Sequence, residues 1–144
     1  PAASDLDEAP VSEANNAVRT IRSLKAQMAA RVQAAPAARA AALRRSVATL
    51  TEQLSAVEAE IYQVRNQSGQ DPLNYPIKLN NQIAALAGVV ASTEAKPTAQ
   101  SYEVYRILAA ALDVELAKLT ALLGGGLDTV NAELVRLGLD PVAK

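Results

Sequence analysis

The chain has 144 residues, of which 50% are hydrophobic, 20% charged and 3% aromatic; 14 basic and 15 acidic residues leave a net charge of -1. Cys and His are both absent, which excludes disulfides, thiol catalysis, the usual zinc sites and His-based acid–base chemistry. The balanced charge argues against a nucleic-acid surface, which needs a basic excess, and gives no general pull toward anionic membranes.

No apolar run reaches the ~18 residues of a transmembrane helix, and no signal-peptide pattern opens the sequence. The first residue is Pro1, not Met, so a processed or excised piece of a longer protein is expected. A length of this order suits one domain that buries roughly 70% of its unfolded surface. With no Phe or Trp, the core must come from Leu, Val and Ile on closely packed helices.

Residues 1–10 (PAASDLDEAP) are small, acidic and bounded by Pro, and read as a linker or frayed terminus ahead of one helical domain over 11–142. Ser12 can cap a first helix. Ala14, Val18, Ile21, Met28 and Val32 keep one face of it, and it should end near Ala34.

Pro36 suits the first turn of a second helix. Leu43, Val47, Leu50, Leu54, Val57, Ile61 and Val64 follow in alternating steps of four and three. That is a coiled-coil seam, on a helix reaching about Arg65. The polar stretch NQSGQDP (66–72) is a loop.

A third helix starts near Pro76, with Leu79, Ile83, Leu86 and Val90 as its seam and Gly88 allowing close approach. Thr93 to Pro97 is the next turn, and Thr98 is placed to cap a fourth helix whose stripe is Tyr105, Leu108, Leu112, Leu116, Leu119 and Leu123. Gly124, Gly125 and Gly126 then cost ~3 kcal/mol against Ala in a helix. Yet Leu127, Val130, Leu134 and Leu137 resume the period in register. The expectation is a last helix kinked or broken at Gly124 to Gly126, continuing weakly rather than reversing, and closed by Gly138 as a C-terminal cap. The fold class is all-α: an up-down-up-down four-helix bundle.

Few residues point to chemistry. Di-metal carboxylate bundles share this architecture but use Glu-x-x-His pairs. There is no His, and Glu52, Glu58, Glu60, Glu103, Asp113 and Glu115 mostly fall off the apolar seams. No metal, cofactor or catalytic residue is therefore assigned. Arg19, Arg22, Lys25 and Arg31 could form an anion-binding stripe, but a solvated helix face is the favoured reading, as it is for Arg44 and Arg45.

The segment 72–105 is the least ordinary. Tyr75, Lys78, Asn80, Asn81, Tyr102 and Tyr105 form the candidate polar set there. Asn80 and Asn81 flank a seam position and can fix register or bond a partner. Lys78 is a snorkelling surface residue before it is a catalytic amine. The tyrosines are large apolar bodies with polar tips, suited to plugging bundle ends or anchoring an interface.

The run PLNYPIKLNNQIAALAGVVASTEAKPTAQSYEVY, followed by a helix ending LVRLGLDPV, resembles the C-terminal region of bacterial sortilin-like proteins with BNR repeats, often labelled glycosyl hydrolases. The likeness covers 72–142 and is most specific at LNYPIKLNN (73–81) and PTAQSYEVY (97–105); the triple glycine departs from it. It implies a detachable helical tail behind a β-propeller, in a secreted or periplasmic protein. The hydrolase label belongs to the propeller, and no catalytic residue carries over to the tail.

The function expected is a non-catalytic interaction or assembly module whose partner is the propeller of the same parent chain or another copy of itself. The alternatives are part of a glycosyl hydrolase-type enzyme, which needs paired carboxylates in a cleft, and an independent oligomeric coiled-coil scaffold.

Overall fold

A computed structural model of the chain describes residues 8–62 and 99–144, with side-chain surroundings described over 12–62 and 103–144. Among the described residues every regular element is helical and no strand occurs. The elements are α1 (Glu8–Ala34), a 3₁₀ turn (Ala37–Arg39), α2 (Ala41–Ile61) and α3 (Ala99–Arg136). α3 is the fourth helix of the sequence reading. The third, with its seam Leu79, Ile83, Leu86 and Val90, and the cap Thr98 lie outside the described residues.

α1 ends at Ala34 as its periodicity requires but begins at Glu8, a full turn before Ser12. Ser12 is thus inside the helix and exposed, not its cap. Pro10 is the third residue, where a missing N–H removes a donor that has no intrahelical partner anyway.

Pro36 does not enter the first turn of α2. It stands before the 3₁₀ turn with φ -61 and ψ 120, and its carbonyl accepts from Arg39 N at 3.0 Å. α2 begins after that turn, with Ala40 O accepting from Arg44 N at 2.9 Å.

The seam of α2 is the centre of the core. Leu43, Val47, Leu50, Leu54, Val57 and Ile61 are all buried, while Val64 lies outside the described residues. On α1, Ala14, Val18, Ile21 and Met28 are buried and Val32 is half-buried. Ala17 and Leu24 join them, closing the gap between Ile21 and Met28.

On α3, Leu112 and Leu119 are buried, whereas Tyr105, Leu108, Leu116 and Leu123 are half-buried. α3 runs through Gly124, Gly125 and Gly126 without interruption, so the glycines do not break it. Leu127, Val130, Leu134 and Leu137 resume burial at once, and burial of that stripe holds the helix where propensity is poorest.

Contacts divide the chain into two units: Pro1–Val18 with Glu58–Leu116, and Arg19–Val57 with Ala117–Lys144. In the first, Ala14, Val18, Ile61 and Leu112 are the large or fully buried apolar positions described. In the second, the contacts fix the directions of three helical segments. Lys25 Nζ donates to Ser55 Oγ at 3.2 Å across the α1–α2 hairpin. Gly126 meets Leu50, and Arg136 Nη2 donates to the Arg39 carbonyl at 3.3 Å. Both α1 and α3 therefore run antiparallel to α2 there.

Gly138 closes α3 as its position predicts. Its φ is 75, a left-handed conformation that glycine adopts without steric cost. Gly138 N donates to Val135 O at 3.0 Å and Leu139 N to Leu134 O at 2.8 Å, the paired bonds of a Schellman cap. The chain then turns back, and residues 139–144 lie without helix beside α1 and α3.

Candidate functional site

Of the polar set proposed from sequence, Tyr75, Lys78, Asn80 and Asn81 lie outside the described residues. Tyr102 has its backbone in α3. Tyr105 is half-buried on the same helix.

The carboxylates divide differently from the sequence expectation. Glu52, Glu60, Glu103 and Asp113 are exposed. Glu58, at 5% exposure, and Glu115, at 7%, are buried, although sequence spacing placed such residues off the seams. Each sits beside a seam position, Val57 and Leu116, and a stripe wider than one residue per turn takes its neighbour inside. Glu115 Oε2 has no hydrogen-bond partner among the described residues. No three Asp or Glu stand together as a metal-ligating group among the described residues.

The basic stripe of α1 also divides. Arg19 and Arg22 are exposed. Lys25 is committed to Ser55, and Arg31 Nε donates to the Asp140 carbonyl at 2.9 Å. Lys25 and Arg31 thus tie α1 to other parts of the chain. Arg44 and Arg45 are exposed, as a solvated face requires.

Three surfaces stand out. The first is a shallow open groove of about 260 Å³ floored by Leu50 and Gly126 and rimmed by Arg45, Thr49, Gln53 and Thr129. Thr129 Oγ1 donates back to Gly125 O at 3.1 Å, so its hydroxyl serves the helix rather than the groove.

The second surface is on the first half of α3. Val104 is 41% exposed, Ile107 62% and Val114 55%. Steps of three and seven residues put these side chains on one side of the helix. That side adjoins the buried face of Leu112, Glu115 and Leu119. The apolar arc of this half-helix is therefore wider than the part it buries.

The third is where residues 140–143 lie between α1 and α3. Gln27 Nε2 donates to Ala143 O at 2.7 Å while Gln27 Oε1 accepts from Ala143 N at 3.2 Å. Asn131 Nδ2 donates to Val142 O at 3.1 Å while Asn131 Oδ1 accepts from Val142 N at 2.8 Å. Val142 is 3% exposed. Sequence reasoning missed this site, because Gln27 and Ala143 are 116 residues apart and the 11-residue step from Asn131 to Val142 crosses the end of α3. The signals present were two amides at half-buried helix positions, Gln27 and Asn131, and an isolated apolar residue, Val142, beyond the last helix.

No protein-family model matches the chain, and no curated protein sequence or solved structure matches it. Among the described residues no helix is long and apolar enough to cross a membrane.

Proposed function

We propose that the chain is a non-catalytic helical interaction or assembly module: an up-down-up-down four-helix bundle forming the C-terminal part of a secreted or periplasmic BNR-repeat, sortilin-like β-propeller protein. The observation that carries the interaction reading is the exposed side of α3. Val104, Ile107 and Val114 spread apolar surface beyond what the helix buries, and a contiguous apolar face on a folded surface marks a contact with another macromolecule. The propeller context rests on the likeness of residues 72–142 alone.

The enzyme alternative draws on Glu58 and Glu115. Glycoside hydrolysis needs two carboxylates open to substrate and water, and these two are 5% and 7% exposed. The scaffold alternative has a specific observation in its favour, since the same α3 face and the long seam of α2 suit self-association.

Sedimentation velocity over a range of concentrations separates these readings. A mass that stays monomeric fits a module whose partner is another domain. A mass that rises with concentration and falls back in Ile107→Asp fits a scaffold. Glycoside turnover that survives purification and disappears in Glu58→Gln or Glu115→Gln would overturn the non-catalytic reading.

A further inference from the structure

We propose that the groove between α1 and α3 is a peptide-binding site that reads main chain, with residues 139–144 as its occupant in cis. A partner presenting an extended segment with one aliphatic anchor takes their place. This stands on residues other than the exposed face of α3 and is tested separately.

The geometry is that of strand recognition made with side chains. In an extended segment, the N–H and C=O of one residue point to the same side and those of the next residue to the other. The two polar groups of Val142 both go to Asn131 on α3. The two of Ala143 both go to Gln27 on α1. A carboxamide can donate from its nitrogen and accept at its oxygen at once across such a pair. Arg31 adds a third backbone contact, to the Asp140 carbonyl.

The side chains of the segment contribute little beyond one anchor. Val142 is the one buried side chain and Leu139 is half-buried, whereas Asp140, Pro141 and Ala143 are exposed. Recognition of this kind takes affinity from the backbone and selectivity from one pocket. It defines the ligand: an extended peptide with Val or a similar small aliphatic residue at the anchor. No Pro is tolerated there or at the next position, because both N–H groups are used. The side chains at Asp140, Pro141 and Ala143, which are exposed, are free to vary.

The hold in cis is strong only through its tether. The segment follows directly on the Schellman cap at Gly138, and a short link keeps it at an effective concentration of the order of millimolar. A free peptide of equal contacts cannot compete until the segment is released. The unaltered chain is therefore expected to bind such a peptide weakly.

The test uses the full chain carrying Val142→Asp, which places a charge in the anchor pocket and frees the segment. The probe is a fluorescein-labelled peptide Leu-Asp-Pro-Val-Ala-Lys read by fluorescence anisotropy. Val142→Asp should bind it at least about tenfold more tightly than the unaltered chain. Adding Gln27→Ala and Asn131→Ala should weaken binding again by about tenfold or more, the order expected for several lost hydrogen bonds. A peptide N-methylated at its Val should not bind, a readout that no change in the stability of the protein can mimic. Equal binding by the unaltered and Val142→Asp chains, or indifference to N-methylation, would overturn the proposal. Should Val142→Asp fail to fold, a protease site inserted after Gly138 and cut in the folded protein gives the same test. The labelled peptide must then exchange for the freed segment, and failure to exchange overturns the proposal equally.

Discussion

Gly126 on α3 leaves room for Leu50 on α2: a Cβ built on Gly126 would fall 2.8 Å from Leu50 Cδ1. Its two neighbours do nothing of the kind, since a Cβ at Gly124 or Gly125 meets nothing within 4 Å. Three adjacent glycines therefore have two different physical roles. Gly124→Ala and Gly125→Ala should each stabilise the chain by ~0.5–1 kcal/mol, through helix propensity alone. Gly126→Ala should gain the same propensity and lose more. Leu50 is 1% exposed, and displacing a packed side chain costs ~1–3 kcal/mol. Urea melts of the three variants check this, with Gly126→Ala expected to be the only one less stable than the parent. Equal gains in all three would mean that Leu50 turns aside freely.

The same glycines show how far sequence reasoning reaches. Propensity favours interruption at Gly124, and the register of Leu127, Val130 and Leu134 favours continuation. The helix continues because burial of those residues outweighs the local cost, and propensity is a weak prior beside tertiary packing. The α2 seam was legible because its steps hold without fault from Leu43 to Ile61. The inward Glu58 and Glu115 were not, since pattern reading assigns charge to the outside. Nor were the Gln27 and Asn131 clamps, which need the far end of the chain to return to α1, and no local period encodes that. Tyr75, Lys78, Asn80 and Asn81 fall outside the described residues.

Leu54→Ala should be among the costliest substitutions. Leu54 lies mid-seam on α2 with 0% exposure, flanked one step away by buried Leu50 and Val57. Removing its branched end loses transfer free energy and leaves a cavity, together ~2–5 kcal/mol. A change below about half a kcal/mol in urea melts, smaller than ordinary core truncations give, would show that the seam is not the core.

Gly138→Ala tests the cap of α3. With φ 75, Ala must hold a left-handed backbone or abandon the bonds from Gly138 N and Leu139 N to Val135 O and Leu134 O. The left-handed conformation costs a residue with a Cβ ~1–2 kcal/mol, and no side-chain clash adds to it, because nothing lies within 4 Å of the Cβ position. The expected loss is therefore ~1–2 kcal/mol, of backbone origin. Gly138→Asn should recover part of it, since Asn tolerates this region better. Equal stability of the Gly, Asn and Ala forms in thermal melts would defeat the explanation.

The last prediction concerns the exposed side of α3. Ile107 is 62% exposed and Val114 55%, so replacing either with Asp removes little buried contact. Surface changes away from special features usually stay within ~0.5 kcal/mol, and both positions are helical, where Asp costs only a few tenths against Val. Thermal melting of Ile107→Asp and Val114→Asp should therefore stay close to that of the parent. Binding of a hydrophobic dye, or self-association by sedimentation, should fall in both, because each substitution splits the apolar face formed with Val104. The two measurements must part company for the interaction reading to stand. A large loss of stability in either variant would mean that these side chains are packed in solution and belong to the core. Unchanged stability together with unchanged dye binding and mass would mean that the face is an ordinary scatter of apolar residues and marks no contact.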